Sequence, residues 1–209
     1  MYNFIAIEGN IGAGKTTLAT MLSQKKNMRL ILEQFSDNPF LPEFYNNPSR
    51  VAFPLELSFL ADRYGQLKKD LVSLDLFNTI TVADYFIYKS LIFASTNLSE
   101  DELILYHRLF DIIASSLPLP DLLVYLYVDY EQLQFNIKKR GRVYEQNIAT
   151  TYLEKIQNRY LQFLNSLPQQ RSIVIEMKDI NFIENENHFE KISTCLLQDY
   201  PLGVTQVKL

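Results

Sequence analysis

Short apolar runs and longer stretches with helical spacing alternate along the whole chain. Tyr2–Glu8 is continuous and β-prone, the pattern of a strand buried on both faces. Lys15–Lys26 has helical spacing, and Arg29–Glu33 is a second short strand. Asp37-Asn38-Pro39 reads as a turn, and Pro42–Asn47 as one or two helical turns. Ser49–Val72 predicts a long helix, with Pro54 tolerable because it lies near the start. Asn78–Asp84 (NTITVAD) predicts a strand and Tyr85–Ala94 a helix. Ser99 and Glu102 form a capping box, and the helix they open runs to about Leu117, before Pro118 and Pro120. Asp121–Val128 (DLLVYLYV) is the most hydrophobic strand. Tyr130–Arg140 is a helix broken at Gly141, and Ala149–Leu167 is another. Ser172–Glu176 is the last strand and Glu186–Leu197 the last helix.

Five apolar strands separated by helices predict an α/β fold, with a five-stranded parallel sheet between two helical layers. No repeat and no Ser/Gly-rich linker divides the 209 residues, so 1–209 reads as one domain. A 47% hydrophobic content supplies a core and excludes a disordered chain. The 20 basic and 24 acidic residues leave a charge of −4, which argues against non-specific nucleic-acid binding. Cys195 is the single cysteine, so an internal disulfide is impossible and a reducing compartment fits. No run approaches the ~20 apolar residues of a membrane span. The N-terminus has no secretory signal pattern. The expected location is the cytoplasm.

Between the first strand and the first helix stands Gly9-Asn10-Ile11-Gly12-Ala13-Gly14-Lys15-Thr16, a full G-x-x-x-x-G-K-[ST] match in the required context. Its glycines let successive backbone N–H groups turn inward on an anion, and the helix adds its positive end. Lys15 reaches the β/γ-phosphates, and the Thr16 hydroxyl can ligate Mg²⁺. The expected ATP-binding set is this segment with Thr17. Such a loop defines only the donor. Acceptor residues should lie at the carboxyl ends of strands. Two acids do. Glu33 ends RLILE and can accept a proton from an attacking hydroxyl. Asp84 ends TITVAD and can hold Mg²⁺ directly or through water.

These residues resemble the deoxynucleoside kinases over nearly the whole chain. The resemblance begins at GNIGAGKTT and passes Glu33, where the family shows E-P-V and this chain has E-Q-F. It continues through DNPFLPEFYNNPSRVAFPLELSFLADR (Asp37–Arg63), Asp84 and RGRVYEQ (Arg140–Gln146). It implies a P-loop three-layer fold with a short arginine lid at about 139–148. It also implies transfer of the ATP γ-phosphoryl to a 5′-hydroxyl, with Glu33 as the base. Tyr45 and Glu145 resemble the pair that grips the sugar 3′-hydroxyl. Glu56 falls where the family places a glutamine that reads the base. Arg63 resembles an arginine near the base and the catalytic acid. Arg140 and Arg142 resemble lid residues that close on the phosphates. The family's dimers suggest a homodimer through Ser49–Val72 and Ser99–Leu117.

Each of these residues also has a plainer reading. Tyr45 suits amphipathic packing, Glu56 a helix-surface acid, and Lys138-Lys139-Arg140 a cationic helix end. The apolar neighbours of Glu56 argue for burial, however, and a buried acid needs a partner. Arg63, at i+7, is on roughly the same face.

Two departures stand out. The family carries acid-Arg-Ser after the third strand, and this chain has Asp84-Tyr85-Phe86. Lys89, on the helix face of Tyr85, and Arg63 are the candidate substitutes for that arginine. A glutamate at position 56 can accept N–H groups but cannot donate. Guanine offers N1–H and N2–H₂ side by side, whereas adenine offers N6–H₂ alone. A purine deoxynucleoside is therefore expected, with guanine favoured by hydrogen bonding and adenine by likeness to bacterial deoxyadenosine kinases. Among the 14 Phe and 13 Tyr, Phe35, Phe53 and Phe86 are expected to line the nucleoside slot. His107 and His188 have no ligand-like spacing. The alternatives are a thymidylate-kinase-like monophosphate kinase and a non-catalytic NTP-binding switch.

Overall fold

The structure, a computed structural model, describes residues 2–34, 38–45, 47–71 and 79–209. Phe35, Asp37, Val72 and Asn78, named above, lie outside these residues. The elements run β1 Phe4–Gly9, α1 Lys15–Lys26, β2 Arg29–Ile31, α2 Leu41–Phe44, α3 Pro48–Leu71, β3 Thr81–Ala83, α4 Lys89–Asn97 and α5 Glu100–Ala114. There follow β4 Leu122–Tyr127, α6 Tyr130–Arg140, a 3₁₀ turn Val143–Glu145, α7 Thr150–Asn165, β5 Arg171–Glu176, α8 Glu186–Leu196 and β6 Gly203–Lys208. The sheet has the order β2-β3-β1-β4-β5-β6, and every pairing is parallel.

β1 is central, and every residue in it is buried. Its side chains alternate between two cores, as strand geometry requires. Ile5 and Ile7 meet Leu18, Leu22, Leu133, Ile137, Phe189 and Ile192 from α1, α6 and α8. Phe4 and Ala6 meet Leu60, Ile92, Tyr106, Phe110, Ile156 and Tyr160 from α3, α4, α5 and α7. These two helical layers hold the carboxyl ends of β1, β2 and β3 together, and the loops after those strands carry the site.

The helix ends follow local chemistry. Glu102 Oε2 accepts the Ser99 backbone N–H at 2.9 Å, as the capping box predicts. Asp129 caps α6 through the Gln132 N–H at 2.8 Å. Gly141 ends α6 at φ 76°, a left-handed conformation that glycine adopts without a Cβ penalty.

Three expectations are corrected. The sheet has six strands, not five, because Gly203–Lys208 pairs along all of β5. That edge strand is half-exposed, with Val204 and Val207 touching opposite cores, so its apolar density is too low to read as a strand. β2 stops at Ile31, so Glu33 stands in the loop beyond the strand instead of at its last position. Tyr85 precedes α4 and shares no helix face with Lys89. Tyr85, Phe86 and Ile87 are buried as an apolar plug, which delays the helix to Lys89.

Candidate active site

The loop between β1 and α1 is closely packed. Gly12 has φ +84°, and a Cβ there would meet the Leu133 carbonyl at 2.9 Å, so both conformation and space demand glycine. The Gly12 carbonyl accepts Asn136 Nδ2 at 2.8 Å, which fastens the loop to α6. Asn10 donates to the Leu153 carbonyl at 2.8 Å, fastening it to α7. Gly14 caps α1 without a side chain and the first turn holds no acid, so its amides are left for an anion. Lys15 Nζ donates to the Gly9 and Asn10 carbonyls at 3.0 and 2.8 Å. Burial, then the neighbouring Lys89, lower the Lys15 pKa to about 8.

Asp84 joins this loop to β2. One carboxylate oxygen accepts the Thr16 hydroxyl at 2.5 Å, and the other accepts the Glu33 backbone N–H at 2.7 Å. The second bond positions Glu33. Its Oε1 accepts Arg63 Nε at 2.8 Å and Nη2 at 2.7 Å, while Oε2 accepts Lys89 Nζ at 2.6 Å. The three side chains are 4–10% exposed, so the pairing is shielded from water. Burial alone would raise the Glu33 pKa, but Lys89 and Arg63 outweigh it and hold the carboxyl at about 2. Arg63 also donates to Ser90 Oγ at 2.8 Å and stacks over Phe59 at 4.8 Å. Both candidate substitutes for the missing arginine thus meet on one acid.

A cleft enclosing roughly 750 Å³ of space, part of it open solvent, is lined together by Lys15, Thr16, Asp84, Glu33 and Glu56. Glu56 is 1% exposed. Its Oε1 accepts Asn97 Nδ2 at 2.7 Å, and its Oε2 has no hydrogen-bond partner among the described residues. Burial pushes its pKa up to about 7 despite nearby Arg63 and the Asn97 bond. Tyr45 faces the cleft, stacked on Tyr144 with centroids 6.2 Å apart. Glu145 is 5% exposed and accepts Arg140 and, at 3.2 Å, Arg142 Nη1. Both arginines line the cleft mouth while paired to that acid.

The expected aromatic lining is partly wrong. Phe53 and Phe86 pack into the core that holds Leu60 and Phe110, and the cleft is lined by Phe44, Phe59 and Phe93. At about 100° per helical residue, Phe59 lies about 40° from Arg63 around α3, and Phe53 about 80°. Asn97, Tyr152 and Glu8 were not singled out from sequence. Glu8 is fully buried beneath the loop, and burial raises its pKa. It accepts the Tyr160 hydroxyl at 2.8 Å and the Phe86 N–H at 3.1 Å. An acid just before a glycine loop was a readable signal. Asn97 and Tyr152 gave none, because their roles depend on helix packing.

The chain matches the deoxynucleoside kinase family model over residues 5–198. It is 39% identical over 194 residues to a deoxyguanosine kinase of Bacillus subtilis, covering 91% of this chain and 94% of that one. It is 29% identical to a deoxyadenosine/deoxycytidine kinase of the same organism, covering 91% of this chain and 89% of that one. A solved deoxyadenosine kinase from M. mycoides with bound dATP shares the fold at TM-score 0.79 and 23% identity, covering 93% of this chain and 99% of that one.

Proposed function

Because the chain belongs to the deoxynucleoside kinase family and is therefore an ATP-dependent phosphotransferase, we propose that it phosphorylates the 5′-hydroxyl of a purine deoxynucleoside, with deoxyguanosine preferred. The observation that carries this reading is that one cleft is lined at once by Lys15 and Thr16 of the glycine loop, by Glu33, and by Glu56, whose buried Oε2 has no partner among the described residues.

Lys15 exchanges its loop carbonyls for the β/γ-phosphates and neutralises charge on the transferred group. Thr16 and Asp84 form a pair of hard oxygen donors suited to Mg²⁺, and would hold it. When bound, that ion supplies charge neutralisation across the phosphates. Arg63 and Lys89 fix the Glu33 carboxylate, which orients the 5′-hydroxyl and takes its proton late. A carboxyl held at about 2 is a weak base, which fits a loose transition state where proton removal lags behind P–O cleavage. Positioning and exclusion of water are then the protein's main work. Tyr45 and Glu145 hold the 3′-hydroxyl. Arg140 and Arg142, in a lid over 139–148 of the single domain 1–209, close on the phosphates.

Glu56 selects the base. Ionised, it accepts guanine N–H groups and repels the N1 lone pair of adenine. The name of the 39% identical relative, a deoxyguanosine kinase, supports the same preference. A monophosphate kinase needs a cationic clamp for the acceptor's phosphate, and here Arg63 and Lys89 are both engaged by Glu33. The exposed Ile104, Leu105 and Ile112 of α5 support a homodimer through α3 and α5. No helix among the described residues is long and apolar enough to cross a membrane.

The test is a coupled assay with ATP across the four deoxynucleosides and their ribose counterparts. Purine deoxynucleosides should lead in kcat/KM by tenfold or more. A pyrimidine preference overturns the base assignment.

A further inference from the structure

One partly buried polar chain in the cleft plays no part in phosphoryl transfer. Asn97, the last residue of α4, donates through Nδ2 to Glu56 Oε1 at 2.7 Å and accepts the Tyr152 hydroxyl through Oδ1 at 3.0 Å. Tyr152 stands on α7, so three helices meet at this chain. An ionised carboxylate only accepts, so Glu56 draws the amide nitrogen, and the Tyr152 hydroxyl, which can donate, then anchors Oδ1 on the other side. Glu56 Oε2 is left buried without a partner among the described residues, an arrangement that is unfavourable until a ligand donor meets it.

Building on the purine reading above, we propose that Asn97 is a specificity-determining positioning residue. Its amide, anchored through Oδ1 by Tyr152, occupies Glu56 Oε1, favours the ionised carboxylate and leaves Oε2 to accept the ring N–H of guanine.

The physical basis is a choice between two protonation states. A carboxylate oxygen meets guanine N1–H favourably and adenine N1, a lone pair, unfavourably. A protonated Glu56 reverses that, because its O–H can donate to adenine N1. A hydrogen bond from Asn97 stabilises the charged form. The other groups facing Glu56 are shared among several elements. Arg63 on α3 and Lys89 on α4 favour charge, and Glu33 beyond β2 opposes it. Tyr106 on α5 donates to the Glu56 backbone carbonyl at 3.2 Å and leaves the carboxylate untouched. Burial raises the carboxyl to about 7, and the loss of one donor shifts the balance further toward the protonated form.

The experiment measures kcat/KM for deoxyguanosine, deoxyadenosine and deoxycytidine between pH 6 and 8.5, in the parent and in Asn97→Leu, Asn97→Ser and Tyr152→Phe. Asn97→Leu should lower the deoxyguanosine-to-deoxyadenosine ratio roughly tenfold or more at pH 7.5, as loss of a hydrogen bond to a charged group implies. It should move the pH midpoint of that ratio upward and leave the KM for ATP unchanged. Asn97→Ser keeps a donor and should recover part of the ratio. Tyr152→Phe, which keeps the ring, should fall between the parent and Asn97→Leu. If Asn97→Leu does not fold, Asn97→Ser and Tyr152→Phe carry the test. An unmoved ratio and midpoint in folded variants of a guanine-preferring enzyme overturn the role of Asn97 alone. A parent that prefers deoxycytidine overturns the purine reading, whatever the variants do.

Discussion

Lys89 Nζ lies 2.6 Å from Glu33 Oε2, reaching from the first residue of α4 to a carboxylate 56 positions earlier in the chain. With Arg63 on the other oxygen, Glu33 is gripped from two helices and held by its own backbone N–H to Asp84. The acid is thereby fixed in orientation and kept ionised, which suits the part we assign it beside the γ-phosphate.

Glu33→Gln should lower kcat at least a hundredfold while changing nucleoside affinity only a few-fold, checked by steady-state kinetics and calorimetric titration. A near-normal kcat removes Glu33 from the reaction. The same residue gives a stability signature. Its folded pKa of about 2 lies below the ordinary 4.5, so its contribution is fully present above about pH 4.5 and is lost as pH falls towards 2. The shift corresponds to about 3 kcal/mol. Thermal melts from pH 6 to 2.5 should show a steeper loss in the parent than in Glu33→Gln.

Lys89→Met leaves half of the Glu33 carboxylate buried without its cation, a change that in such sites costs about 3–5 kcal/mol of stability. It should also lower kcat by tenfold or more. Lys89→Arg, which restores a cation at the position, should recover most of both. Melting temperature and kcat measured on both variants check this. Equal loss in Met and Arg variants contradicts a charge-based role.

Glu56 gives the opposite pH signature. Its folded pKa of about 7 is above the ordinary 4.5, so the ionised acid destabilises the fold above pH 7, and the penalty is relieved as pH falls towards 4.5. Glu56→Gln should therefore raise the melting temperature at pH 8 and have little effect at pH 5. In kinetics the same variant should reduce discrimination between deoxyguanosine and deoxyadenosine. Scanning calorimetry at the two pH values, with paired kcat/KM measurements, checks both.

Thr16→Ala removes the hydroxyl that meets Asp84 at 2.5 Å. The Mg²⁺ concentration for half-maximal rate should rise about tenfold or more, with a smaller change in nucleoside KM. Chelation of divalent ions should abolish turnover of the parent. An unchanged Mg²⁺ requirement in Thr16→Ala argues against these two residues as the metal pair.

Deleting residues 201–209 removes β6 and uncovers the whole edge of β5. The backbone groups of Arg171–Glu176 lose their partners, and an exposed strand edge invites association. The expected outcome is a melting temperature lower by several degrees and a concentration-dependent rise in light scattering.

Local chemistry was legible wherever neighbours in the chain set it. The glycine loop, the bounds of α1 and α6, the Ser99–Glu102 cap and the buried central strands all follow from short-range pattern, because turn geometry, capping and period depend on adjacent residues. Helical spacing put Glu56 and Arg63 on one face of α3, but the expected pairing is corrected: Arg63 binds Glu33 and Ser90, and Glu56 accepts from Asn97. What the chain order could not supply was the meeting of separate elements. β6 needed β5 to be recognised as a strand at all. Lys89 needed the buried Tyr85–Ile87 plug to start α4 where its ammonium reaches Glu33. Phe59 and Phe93 line the cleft instead of Phe53 and Phe86, because Phe53 packs on another side of α3 and Phe86 is buried in the segment before α4. Asn97 and Tyr152 are unremarkable in sequence and became part of the site only where α3, α4 and α7 converge. Periodicity and capping act between residues a few positions apart, so the residues themselves determined the elements and the phosphate loop. Side-chain pairs across 40 to 60 positions depend on helix rotation and depth, and only the packed structure decided them.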